Sequence, residues 1–197
     1  MLRDANEIDS ALRAVGELLA AEGAQFRIVI IGGAAMNLIG VVARATRDVD
    51  IVAMAKAESQ TLERPTEPLP APLRDAISIV ARDFELPENW LNTGPAGQWD
   101  VGLPPGFAER VSWRRYPGLD VGLAARVDLI SLKFEATADQ PDTRNRHFAD
   151  LIALRPTPEE LTNAKAWVRN TNAGDEYLLI LDRVEAHVLH TLADDPR

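Results

Sequence analysis

The run Phe26-Arg27-Ile28-Val29-Ile30-Ile31 reads as a buried β-strand, and it ends abruptly on two glycines, Gly32-Gly33. A short helix-forming stretch, Ala34 to Ile39, follows, and a second strand is expected from Asp48 to Ala53. This order commits the chain to a strand, a tight turn, a helix and a returning strand. Along the second strand Asp48 and Asp50 are two residues apart, so both carboxylates face one side while Val49 and Ile51 face the other. Two carboxylates on one face form half of a site for Mg2+ ions that bridge phosphates. The glycine pair lets the backbone approach a triphosphate without interference from side chains. Each feature alone is common as a plain turn or strand end. Joined by one helix, with Arg44 and Thr46 just ahead of the carboxylates, they suggest phosphoryl or nucleotidyl transfer.

At 197 residues and 46% hydrophobic content the chain can bury a real core, as one domain or a compact two-part molecule. It has no cysteine, which excludes disulfides, thiolate metal sites and a cysteine nucleophile, and suits a reducing cytosol. No apolar run reaches membrane-spanning length, and the acidic beginning (Asp4, Glu7, Asp9) lacks the basic-then-apolar form of a signal peptide. A soluble, cytoplasmic protein without membrane contacts is expected. The net charge of -9 argues against a protein that coats nucleic acid indiscriminately. Between Arg110 and Arg155, however, eight basic residues stand against six acidic ones, a local excess able to guide a phosphate-bearing substrate.

The rest of the chain divides by period and by punctuation. Ile8, Leu12, Val15, Leu18 and Leu19 are helically spaced over residues 5 to 22, with Gly23 as the stop. Residues 55 to 72 carry Pro65, Pro68, Pro70 and Pro72 and read as a connector, after which Leu73, Ile77 and Val80 supply the stripe of a helix ending near Asp83. The turn-rich segment from Asp83 to Asn92 holds Phe84 and Trp90, a hydrophobic clamp under a loop. Arg110 to Tyr116 and Leu119 to Ala124 form a hairpin about Pro117-Gly118. Helices are expected at 128 to 137, 146 to 154, 158 to 170 and 175 to 193. The fold class is therefore α+β: a core of a small mixed sheet with helices over residues 1–125, then a helical part over 126–197.

Taken together, Gly32-Gly33 and Arg44-x-Thr46-x-Asp48-x-Asp50 resemble the first motif of the DNA polymerase β-like nucleotidyltransferase superfamily. More narrowly they are similar to the AbiEii/MenT-type branch, the enzyme half of many bacterial toxin-antitoxin pairs. Asp128-Leu129-Ile130-Ser131-Leu132-Lys133-Phe134-Glu135-Ala136 resembles that branch's lysine-bearing helix. Arg146-His147-Phe148-Ala149-Asp150-Leu151, with Pro156 to Leu161 and Ala166-Trp167, is similar to its closing motif. The likeness runs from about residue 26 to 170, in the family's order.

The resemblance implies a polymerase β-like core whose active site is completed by the helical C-terminal part. Asp48 and Asp50 would ligate Mg2+; Gly32 and Gly33, with Arg44 and Thr46, would line the nucleotide; Lys133 would contact its phosphates; and Asp150 would complete the site. The implied reaction moves a nucleoside monophosphate from an NTP to a hydroxyl, with the 3' end of tRNA as acceptor, in a toxin held by a cognate antitoxin. The chain departs from the pattern where Gly33 replaces a serine and where the linker to Asp48 is long. A third carboxylate is expected on a neighbouring strand; Asp120 is the candidate, with Asp150 competing for the role. His147 is read as a structural or substrate-edge histidine, and His187 and His190 as a solvated helix face. Other readings keep the enzyme but change the acceptor to a small molecule or a protein, or keep only nucleotide binding without catalysis.

Overall fold

The computed structural model describes residues 1–56, 61–139, 145–171 and 174–195. Its contacts divide the chain into two units: Met1–Val101 with Gly106–Ala125, and Gly102–Pro105 with Arg126–Arg197.

The first unit is built on a six-stranded mixed sheet. Its strands are β1 (Phe26–Ile31), β2 (Val49–Ala55), β3 (Leu62–Glu63), β4 (Leu91–Asn92), β5 (Ser112–Tyr116) and β6 (Leu119–Leu123). The spatial order is β3-β2-β1-β6-β5, and β4 also lies along β2. β1 is central, antiparallel to β2 and parallel to β6. That explains its unbroken hydrophobic run: Ile28 to Ile31 are all buried, as a strand covered on both faces requires. β5 and β6 form the expected hairpin, with Tyr116 opposite Leu119.

Three longer helices accompany the sheet: α1 (Ala5–Ala21), α2 (Gly32–Leu38) and α3 (Ala71–Asp83). The Asp4 side chain caps α1 by accepting from the Asn6 and Glu7 amides, and Ile8, Leu12, Val15 and Leu19 form its buried stripe. Short helical turns, α4 (Gln98–Val101) and α5 (Phe107–Arg110), escape sequence reading because four residues carry no usable period. The connector over 55 to 72 contains β3, and the aromatic segment contains β4; two-residue strands likewise leave no alternation to detect. Trp90 is fully buried and donates to the Ile77 carbonyl of α3 at 3.2 Å, so one half of the expected clamp forms, whereas Phe84 is exposed.

The second unit is helical: α6 (Arg126–Asp139), α7 (Arg146–Leu154), α8 (Pro158–Arg169) and α9 (Asp175–Asp194). α6 contacts each of the other three. Ten of its residues are buried, which is why it lacks a simple one-faced pattern. Thr157 and Glu160 close a capping box at the start of α8, with Pro158 in the first turn, where a missing N–H does no harm. Arg126 donates to the Leu154 and Arg155 carbonyls at the end of α7 and pairs with Glu160, tying three helices together. Lys165 on α8 pairs with Asp182 and Glu185 on α9. Among the described residues no helix is long and apolar enough to cross a membrane.

Candidate functional site

One end of the sheet collects the residues singled out by the first motif. Because β2 runs antiparallel to β1, its beginning meets the end of β1, and Asp50 stands opposite Ile31. The chain then turns at Gly32, with φ of +71°, directly into α2. The glycine pair is thus the first turn of the helix, two residues earlier than expected. A β-carbon on Gly32 would lie 2.6 Å from Asp50 Oδ2, so the carboxylate occupies the space that the missing side chain leaves.

The approach to Asp48 is held by two residues. Thr46 is buried, exchanges backbone hydrogen bonds with Leu2 at 3.0 and 2.8 Å, and donates its hydroxyl to the Asp48 carbonyl at 3.1 Å. Its hydroxyl supports the Asp48 backbone. Asn37, a polar residue inside the apolar helix α2, was not singled out from the sequence. Its Nδ2 donates to the carbonyls of Gly33 (2.9 Å) and Arg44 (3.0 Å), and its Oδ1 accepts the Arg44 amide at 3.3 Å. Asn37 thereby ties the glycine turn to the loop that carries Arg44. The signal that could have found it is a lone amide side chain in Ala34-Ala35-Met36-Asn37-Leu38.

β2 also bulges. The partner of Val29 is Ala53 and that of Ile30 is Ile51, so Val52 is the extra residue, and the Trp99 indole donates to its carbonyl at 2.6 Å. A bulge re-aims the residues beside it and is a recurrent device next to functional sites. On the other flank β4 runs parallel to β2 and sets Asn92 opposite Asp50. Asn92, too, went unnoticed in the sequence.

Asp120 does not join this group. β6 pairs it with Arg27, four residues before Ile31, so at about 3.3 Å per residue it lies roughly 13 Å along the sheet from the Asp50 level. Its carboxylate is 3.5 Å from Arg27 Nε, and the Arg27 guanidinium stacks 4.1 Å from the Trp113 ring centroid. The expectation of Asp120 as third site carboxylate is therefore corrected: parallel pairing of β1 and β6 carries it to the opposite end.

In the helical unit Lys133 Nζ lies 2.7 Å from Asp150 Oδ2, with the two side chains 11% and 2% exposed. Burial this deep makes each charge the other's necessary partner. His147 precedes Asp150 by three residues, on the same face of α7. Burial, aided by the Lys133 charge, holds its imidazole below the ordinary histidine range, against the pull of Asp150. The buried Nδ1 has no hydrogen-bond partner among the described residues. His187 stacks on Phe148 and His190 lies 3.4 Å from Asp194.

The basic excess between Arg110 and Arg155 is largely spent on internal partners. Arg114 donates to Asp9 and to the Leu38 carbonyl, Arg126 pairs with Glu160, Lys133 with Asp150 and Arg155 with Asp195.

Among the described residues no group of three or more His, Cys, Asp or Glu is arranged to hold a metal ion. Mg2+ asks less of a protein than that: it is commonly bound by one or two carboxylates, with substrate phosphates and water filling its octahedron. Asp48 and Asp50 are both half-buried, Asp50 against the Gly32 turn, and two carboxylates fit that donor set. Comparison of the chain with family models, with curated proteins and with solved structures returned no match.

Proposed function

We propose that this chain is a metal-dependent nucleotidyltransferase with a polymerase β-like core, transferring a nucleoside monophosphate from an NTP to an acceptor hydroxyl with release of pyrophosphate. The acceptor we favour is the 3' end of tRNA, and the biological setting a toxin restrained by an antitoxin. The observation that carries the reading is the seat of Asp50 against Gly32: a carboxylate strand end packed on a glycine turn that opens a helix.

Asp48 and Asp50 would hold Mg2+, which when bound supplies positive charge at the reacting phosphate and favours ionisation of the attacking hydroxyl. The missing side chain at Gly32 lets the Asp50 carboxylate seat directly against the turn. Thr46 and Asn37 hold the segments bearing Asp48 and Gly33 in register, so that the carboxylates are oriented before a ligand arrives. By the resemblance Lys133 would contact nucleotide phosphates as a point charge; its Nζ lies 2.7 Å from Asp150 Oδ2.

Incubation of the purified chain with each of the four α-32P-labelled NTPs, Mg2+ and total RNA tests the proposal. Label should enter RNA of tRNA size with one nucleotide, and Asp48→Asn and Asp50→Asn should abolish incorporation while keeping the circular dichroism spectrum of the wild type. Incorporation undiminished in a folded Asp50→Asn variant would overturn the reading. Label entering protein or an aminoglycoside instead of RNA would keep the transferase and replace its acceptor.

A further inference from the structure

The bulge in β2 decides which face of the sheet Asp50 takes. Val29 pairs with Ala53 and the next residue of β1, Ile30, pairs with Ile51, so Val52 is passed over. In an unbroken ladder Ile30 would stand opposite Val52 and Ile31 opposite Ile51. Asp50 would then come opposite Gly32, on the face that Ile30 takes. With Val52 passed over, Asp50 stands opposite Ile31 instead, on the other face, where its carboxylate meets the Gly32 turn. A bulge needs holding, because its extra residue drops out of the ladder. Here the holder is Trp99, whose indole Nε1 donates to the Val52 carbonyl at 2.6 Å. The segment that brings Trp99 there starts beside the same carboxylate. Asn92 stands opposite Asp50, and its Oδ1 accepts the Gly94 N–H at 2.7 Å, opening the turn Gly94–Gly97 that leads into α4. Ala96 in that turn is buried, Thr93 donates to Glu67 at 2.6 Å, and Asp100 pairs with Arg64 at 2.7 Å, so the segment is fastened before and after the indole.

Resting on the nucleotidyltransferase reading of the Asp50 site, we propose that Trp99 is a positioning residue for the reaction: its indole N–H fixes the bulge at Val52, and the bulge keeps the Asp50 carboxylate on the Gly32 face. The competing arrangement is the regular ladder. Because side chains alternate strictly along a strand, losing the bulge turns Asp50 to the opposite face. Trp99 thus acts through Asp50, at the distance of two residues along β2. Catalysis is sensitive to such aim, since a misplacement of about 1 Å can cost about 100-fold in rate. Phenylalanine at position 99 would keep an aromatic ring and remove the donor, which separates the hydrogen bond from the packing.

The test combines hydrogen exchange and kinetics on the full chain. In the wild type the Trp99 indole N–H, assigned by triple-resonance NMR, should exchange with deuterium oxide about 100-fold or more slowly than free indole. In Trp99→Phe the amides of Ile51, Val52 and Ala53 should exchange about tenfold faster than in the wild type, with those of α1 unchanged. In the same variant kcat for label transfer should fall about tenfold while KM for the NTP moves by less than about threefold. Deleting Val52 removes the extra residue and leaves Asp50 opposite Ile31, so Trp99→Phe should cost no further activity in that background. An indole N–H that exchanges as fast as free indole overturns the proposal, and that measurement stands even if neither variant folds. Wild-type exchange at residues 51–53 in Trp99→Phe overturns it as well. If those amides loosen but kcat holds, the positioning role falls and the transferase reading survives. If the wild type transfers no label to any acceptor, the transferase reading falls and the positioning role with it.

Discussion

Asp50 Oδ2 occupies the space where Gly32 would carry a side chain, at 2.6 Å from an ideal β-carbon. The contact couples the end of β1 to the start of β2 through a residue whose φ, +71°, is itself unfavourable for any L side chain. Gly32→Ala therefore faces two penalties at once. It should lose about 1–2 kcal/mol from the left-handed backbone alone, more with the clash, and displacement of Asp50 should lower transfer by about 100-fold. Urea unfolding and labelled-NTP transfer measure the two effects; a variant as stable and active as the wild type would show that the carboxylate need not sit on the turn.

The Lys133–Asp150 pair is predicted to behave as a buried ion pair. Removing one partner, as in Lys133→Ala or Asp150→Ala, should cost about 3–5 kcal/mol, whereas replacing both with apolar groups, Lys133→Met with Asp150→Leu, should cost far less. A double-mutant cycle in urea measures the coupling. Lys133→Arg should retain more transfer than Lys133→Met in folded protein, because positive charge is the requirement.

His147 makes stability depend on pH in a definite direction. Its folded pKa lies below the unfolded value near 6.5, so between the two values the unfolded chain binds the extra proton and stability falls as pH falls. The unfolding midpoint should be lower at pH 5.5 than at pH 7.5, a window (in round numbers) above the range where carboxylates titrate, and His147→Gln should flatten the difference. An unchanged slope in the variant would assign the effect elsewhere.

Asp120→Asn should leave transfer unchanged, because its partner is Arg27 at the far end of the sheet. The loss should be one of stability, about 1 kcal/mol, for a single partly buried ion pair. Loss of transfer in a folded Asp120→Asn variant would restore it as a site residue.

Features that depend on near neighbours are legible in the amino-acid sequence. The hydrophobic run of Phe26 to Ile31 specified a doubly covered strand, and helical spacing specified α1 and α3, whereas the second strand begins at Val49, one residue later than expected, so that Asp48 precedes it. Proline and glycine located the β5–β6 turn and the break before α8 for the same local reason. Which residues lie side by side is settled by long-range packing. Asp120 and Asn92 are both short polar residues on strands; strand pairing sends the first to Arg27 and the second to Asp50. Alternation tells which face a residue takes, but not which strand comes next or in what register, since that choice is made by the packing of segments distant in sequence. Asn37 follows the same logic: its amide reads as an anomaly in a small apolar helix until the returning loop supplies Arg44 as its partner.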